Sequence, residues 1–153
     1  MKRILLLLLL CSTTLLMAQQ TDPIQEAMAS YDYETALSLI AQKKPATPLL
    51  LQKGKALRSL GLNAEALSTY QEIIGKDSTN TRALIEAAEC CRTLAKYKQA
   101  SAYYEKVLDL TPENKYVRIQ YINLLLNPEK PDVPLNKNDA FQKVQKRHVQ
   151  EKR

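Results

Sequence analysis

The chain has 153 residues and a formal net charge of +6, with three glycines, no tryptophan, one phenylalanine and one histidine. Gly54, Gly61 and Gly75 stand too far apart to build a phosphate-cradling loop, and His148 beside Arg147 in a basic stretch has no neighbour for acid–base or metal chemistry. An enzyme is therefore not expected, nor a cofactor, and the abundance of Ala, Leu, Lys, Gln and Glu favours helix over strand.

In chain order, Lys2 and Arg3 precede an apolar run from Ile4 to Leu10, and Leu16-Met17-Ala18 ends on the small residue that signal peptidase accepts. Residues 1–18 are expected to be a signal peptide cleaved after Ala18. The protein is then exported: periplasmic or envelope-associated in a bacterium, or secreted. Two alternatives stand beside this reading. An uncleaved anchor would need about 20 apolar residues, and Ser12, Thr13 and Thr14 interrupt the run. Lipidation at Cys11 would want small residues before it, where Leu8, Leu9 and Leu10 stand.

The 135 residues from Gln19 onward suffice for one domain with a core. They keep Cys90 and Cys91, which point about 100° apart on a helix, so a bridge between them would be strained. Both are expected to pack as small apolar side chains. Residues 19–134 carry 14 basic and 14 acidic side chains, whereas residues 135–153 carry six basic and two acidic. The body is neutral and the tail basic.

Sliding the sequence over itself gives a self-match at an offset of 34 residues, between 47–80 and 81–114. Leu50 falls on Leu84, Leu51 on Ile85, Gly54 on Ala88, Leu60 on Leu94, Gly61 on Ala95, Ala66 on Ala100, Tyr70 on Tyr104, Ile73 on Val107 and Asn80 on Asn114. Apolar residues recur at helical spacing twice per unit, around Leu60-Gly61-Leu62. Gly61 is expected to end the first helix in the left-handed conformation and Asn63 to cap the second, so each unit is a helical hairpin. Gly54 and Ala88 let the paired helices approach Ala66 and Ala100, with Tyr70 and Tyr104 filling the space alongside.

Upstream, residues 19–46 are a short, degenerate helix pair: Asp22-Pro23 opens a helix over 23–30, and Tyr33 lies 30 rather than 34 residues before Asn63. Downstream, residues 115–127 repeat a first helix as a partial repeat or capping helix, with Ile119, Ile122 and Leu125 on the matched places. Pro128, Pro131 and Pro134 make 128–136 a linker. Residues 137–153 then form a basic amphipathic helix or tail, capped by Asn138 and striped by Ala140, Phe141, Val144 and His148.

A small residue, a turn glycine, an alanine and an aromatic at these spacings, closed by Pro112, resemble the tetratricopeptide repeat over residues 47–114. The resemblance implies an all-α, short right-handed superhelical array of about two and a half to three helix pairs. It also implies a concave groove, lined by the first helices, that receives a partner protein or peptide. Carried over position by position, the groove comprises Leu51, Lys55 and Arg58, then Arg82, Ile85, Glu89 and Arg92, then Tyr116, Ile119 and Asn123. Four of these are basic and one acidic, which suits an acidic partner segment, although the same charges also fit the plain solvated face of amphipathic helices. Leu51 and Lys55 replace the basic and amide residues of the family's chaperone-tail clamp, which puts recognition of that tail in question. A scaffold binding a partner protein is the favoured reading. A structural subunit of an envelope complex, or a surface-associated protein whose basic tail touches the membrane surface, stands as the alternative. Nucleic acid is not expected as a partner, nor a transmembrane span once the signal is removed.

Overall fold

The computed structural model describes residues 22–126. The expected signal peptide, the linker at 128–136 and the basic segment at 137–153 lie outside them. The described residues hold seven helices and no strand: α1 (Pro23–Ala29), α2 (Tyr33–Ala41), α3 (Thr47–Ser59), α4 (Asn63–Lys76), α5 (Thr81–Thr93), α6 (Tyr97–Leu110) and α7 (Lys115–Leu126). Each helix packs chiefly on its neighbours in sequence, from α1 on α2 through to α6 on α7. This is the all-α array of helix pairs that the repeat predicts, stabilised by nearest-neighbour contacts.

Local chemistry sets where the helices start. Asp22 accepts from the Ile24 amide, Asp32 from Thr35, Asn80 from Ala83 and Asn114 from Val117, at 3.1–3.2 Å. Each satisfies an amide that the first helical turn leaves open. Asn63 does not cap α4 as expected. It is the first residue of that helix, and its Nδ2 donates back to the Gly61 carbonyl at 3.0 Å. The tight turn places Leu62 at the cap, and its aliphatic side chain has no atom that could accept a cap hydrogen bond.

The three hairpin turns are closed in the same way. Gly61 takes φ of 78°, and the Leu62 amide donates to the Leu57 carbonyl while the Gly61 amide donates to Arg58. Ala95, with φ of 56°, repeats both bonds, Lys96 to Cys91 and Ala95 to Arg92; Tyr31, with φ of 62°, repeats the outer one, from Asp32 to Ala27. This is the Schellman closure, which needs a left-handed residue just past the helix end.

The core runs continuously along the array. Ala66, Tyr70, Ile73, Leu84, Ala88, Ala100, Tyr104, Val107 and Val117 are fully buried. A Cβ added to Gly54 would lie 2.5 Å from the Tyr70 ring, so the glycine makes space for the tyrosine. Cys90 and Cys91 are buried free thiols in this core. Burial pushes the Cys90 thiol up to about 11, so it packs as an uncharged group. On α7, Val117, Tyr121, Leu124 and Leu125 face the array, and Ile119 stays more than half exposed.

Candidate functional site

The first helices of successive units share one face. Gln25 and Met28 from α1, Thr47, Pro48, Leu51, Gln52 and Lys55 from α3, and Arg82 from α5 line a trough of about 470 Å³. Sequence reasoning placed Leu51, Lys55 and Arg82 in the groove, and all three converge here. The contribution of α1 was not foreseen, because its unit is the most degenerate. Lys55 and Arg82 are exposed and form no ion pair among the described residues. Two unneutralised cations therefore flank a wall carrying Leu51 and Met28.

The other candidates are partly committed within the chain. Arg58 Nη2 lies 3.2 Å from Glu86 Oε2, tying α3 to α5. Glu89, expected on the groove wall, is buried instead. Its Oε1 accepts from the Tyr104 hydroxyl at 2.7 Å and the Tyr116 hydroxyl at 3.2 Å, and its Oε2 accepts from Arg92 Nη2 at 2.8 Å and Nε at 3.2 Å. Burial by itself would raise the Glu89 carboxyl. The hydrogen bonds from Tyr104 and Arg92, with the Arg92 charge and the Tyr116 hydroxyl, outweigh it and hold the group below the usual carboxylate range. Glu89 thus organises the site rather than meeting solvent.

Its effect is to set the far half of the wall. Arg92 is spent on Glu89, and Tyr116 is held by its hydroxyl with the ring half exposed. Ile85 is half-buried, Ile119 and Asn123 are exposed. Leu51, Ile85 and Ile119 occupy equivalent positions on α3, α5 and α7 at the 34-residue offset. The face therefore changes character along the array, from cationic near α1, α3 and α5 to aromatic and aliphatic near α7.

Two polar roles also escaped sequence reasoning. Glu86 pairs with Arg58 across helices, and Tyr104 anchors Glu89. A signal for the second was present: the repeat aligns Glu89 with Lys55 and Tyr104 with Tyr70, so only one of two equivalent buried tyrosines has a carboxylate opposite it. No group of three or more His, Cys, Asp or Glu residues among the described residues could hold a metal ion. No helix among them is long and apolar enough to cross a membrane.

Residues 81–114 match the family model described as "Tetratricopeptide repeat". Two of the solved structures similar to the chain are tetratricopeptide domains. The first TPR of Spaghetti (RPAP3) bound to HSP90 peptide SRMEEVD is 21% identical with a TM-score of 0.62, covering 67% of this chain and 84% of that one. The first TPR domain of the human RPAP3 protein is 18% identical with a TM-score of 0.61, covering 81% of this chain and 91% of that one. No curated protein matches the chain. The described residues thus form a tetratricopeptide-repeat-like, all-α domain, a fold that in one of these neighbours holds a peptide.

Proposed function

We propose that this protein is an exported scaffold that holds a segment of a partner protein along the face formed by its first helices. The observation that carries the reading is the convergence of Leu51, Lys55 and Arg82 on one trough spanning α1, α3 and α5, with two cations that form no ion pair among the described residues. Two of the other candidate groove cations are paired within the chain, Arg58 with Glu86 and Arg92 with Glu89. Cations left open beside an apolar wall suit a segment that brings carboxylates and aliphatic side chains together. The fold shared with a structure bound to an acidic HSP90 peptide supports this class of partner. Lys55 and Leu51 give this chain a wall of its own, so the proposal extends to an acidic segment in general and not to that peptide. Export rests on Lys2, Arg3, the apolar run to Leu10 and Ala18.

Photo-crosslinking tests the reading in the exporting cell. A photoreactive residue at Leu51 should trap a discrete partner band, and one at exposed Gln71 on α4 should not. Equal trapping at both positions, or none at Leu51, would remove the groove as the binding site.

A further inference from the structure

A second concavity lies on the opposite flank of α3, and it arises from a shortened helix. α2 has 9 residues, whereas α4 and α6, which begin at the equivalent positions, have 14 each. The missing turn is the one that carries Ile73 and Ile74 in α4 and Val107 and Leu108 in α6; Ile73 and Val107 are fully buried. Its place in the first unit falls to Lys43 and Lys44, and Pro45 disfavours helix at the residue before it.

The consequence shows on the next helix. In α5, Ala83 and Ala87 are fully buried. Their equivalents on α3 are Leu49, which is half-buried, and Lys53, which is exposed. Between α2 and α3 this leaves a cavity of about 440 Å³, whose apolar wall includes Leu37, Ile40, Leu49 and Leu57, with Lys43 and Lys53 at its edge. Lys43 pairs with Asp22 at 3.3 Å, while Lys53 forms no ion pair among the described residues. Leu49 and Lys53 are each two residues from Leu51 and Lys55, so they point about 200° away around the helix. The cavity is therefore separate from the groove.

We infer that this cavity is a second docking site, which accepts one helical turn of a partner protein carrying two adjacent aliphatic residues beside an acidic one. The array fills the corresponding space twice with an aliphatic helical turn, and a cavity of about 440 Å³ lined mainly by apolar side chains is of a size that takes an occupant. Lys53, which stands where α5 has the buried Ala87, selects the acidic neighbour. Within the chain itself, the turn Glu72-Ile73-Ile74 has this composition.

The test uses the full chain and a labelled peptide copying residues 63–76, stapled on its solvent face because a free helix of that length is marginal in water. Saturable binding by fluorescence anisotropy is expected. It should weaken several-fold with Lys53→Glu, recover when Glu72 of the peptide is changed to Lys, and stay unchanged with Arg82→Glu in the groove. Replacing both isoleucines of the peptide by serine should abolish it. The charge-swap recovery separates docking from a folding defect. Absence of saturable binding, indifference to Lys53→Glu, or loss with Arg82→Glu would overturn the assignment. So would binding of sodium laurate alone with the same Lys53 dependence, which would make the cavity a site for small amphiphiles. A concentration-dependent dimer dissolved by Lys53→Glu would make the occupant a second copy, and would overturn it as well. Loss of binding with Lys53→Glu leaves the groove reading intact, since that reading depends on Arg82.

Discussion

The Tyr104 hydroxyl donates to Glu89 Oε1 at 2.7 Å, and Glu89 in turn takes Arg92 and Tyr116. The equivalent tyrosine one repeat earlier, Tyr70, is as deeply buried, but its hydroxyl has no hydrogen-bond partner among the described residues, and Lys55 stands where Glu89 would be. The two repeats share a shape and differ in polar chemistry.

That difference predicts opposite responses to one substitution. Tyr104→Phe removes a hydrogen bond to a buried carboxylate and should cost about 1.5–3 kcal/mol in chemical denaturation. Tyr70→Phe removes an unpartnered buried hydroxyl and should be neutral or slightly stabilising. Equal losses for the two variants would contradict the assigned polar network.

Glu89 should also give the fold an acid sensitivity. Its folded carboxyl titrates below the ordinary value of 4.5, so its contribution is present above that value and is lost as pH falls through the lower folded one. The melting temperature should therefore drop from about pH 4.5 downward. Asp32 and Asp77 are also lowered, each chiefly by a side-chain hydrogen bond from a threonine, so the difference between wild type and Glu89→Gln isolates the Glu89 share. That difference should be largest near neutral pH and shrink on acidification; a difference independent of pH would contradict the assignment.

Gly54→Ala would place a methyl group 2.5 Å from the fully buried Tyr70 ring and should cost about 1–3 kcal/mol through overpacking. Tyr70→Leu in the same chain should recover part of the loss. An unchanged melting temperature in the single variant would mean that α3 and α4 are not held this closely.

Ala95 closes a hairpin in the left-handed region, where a side chain is strained. Ala95→Gly should raise stability by about 0.5–1 kcal/mol, net of the greater freedom of glycine in the unfolded chain. Tyr31→Gly should gain less, since Tyr31 also meets Tyr33 edge-on, with ring centroids 6.2 Å apart. Destabilisation by Ala95→Gly would show that this turn carries no backbone strain.

Much of the array was legible because its signals are periodic. The 34-residue offset aligned Gly54 with Ala88 and Tyr70 with Tyr104, and small residues facing aromatics define where paired helices meet. The left-handed turn was readable at Gly61, where the residue type announces it, but at Ala95 and Tyr31 only the geometry shows it. Sequence spacing also put Glu89 and Arg58 on the groove face without showing that each is engaged inside the chain. A carboxylate on a helix reads as solvated until the tyrosines that bury it are placed by another helix and the next unit. The 30-residue spacing of the first unit marked it as short, while the cavity that this opens depends on the packing of α2 against α3.

A partner segment is proposed to lie in the trough beside Lys55 and Arg82. The most direct measurement compares two charge-reversed double variants, Lys55→Glu with Arg82→Glu in the trough and Lys143→Glu with Lys146→Glu in the basic segment, in capture of partners from an envelope extract at two salt concentrations. Both change net charge equally, so a general electrostatic effect weakens capture alike. Selective loss with the trough pair, persisting at the higher salt, is the predicted result; selective loss with the basic-segment pair, or no loss with either, would contradict it.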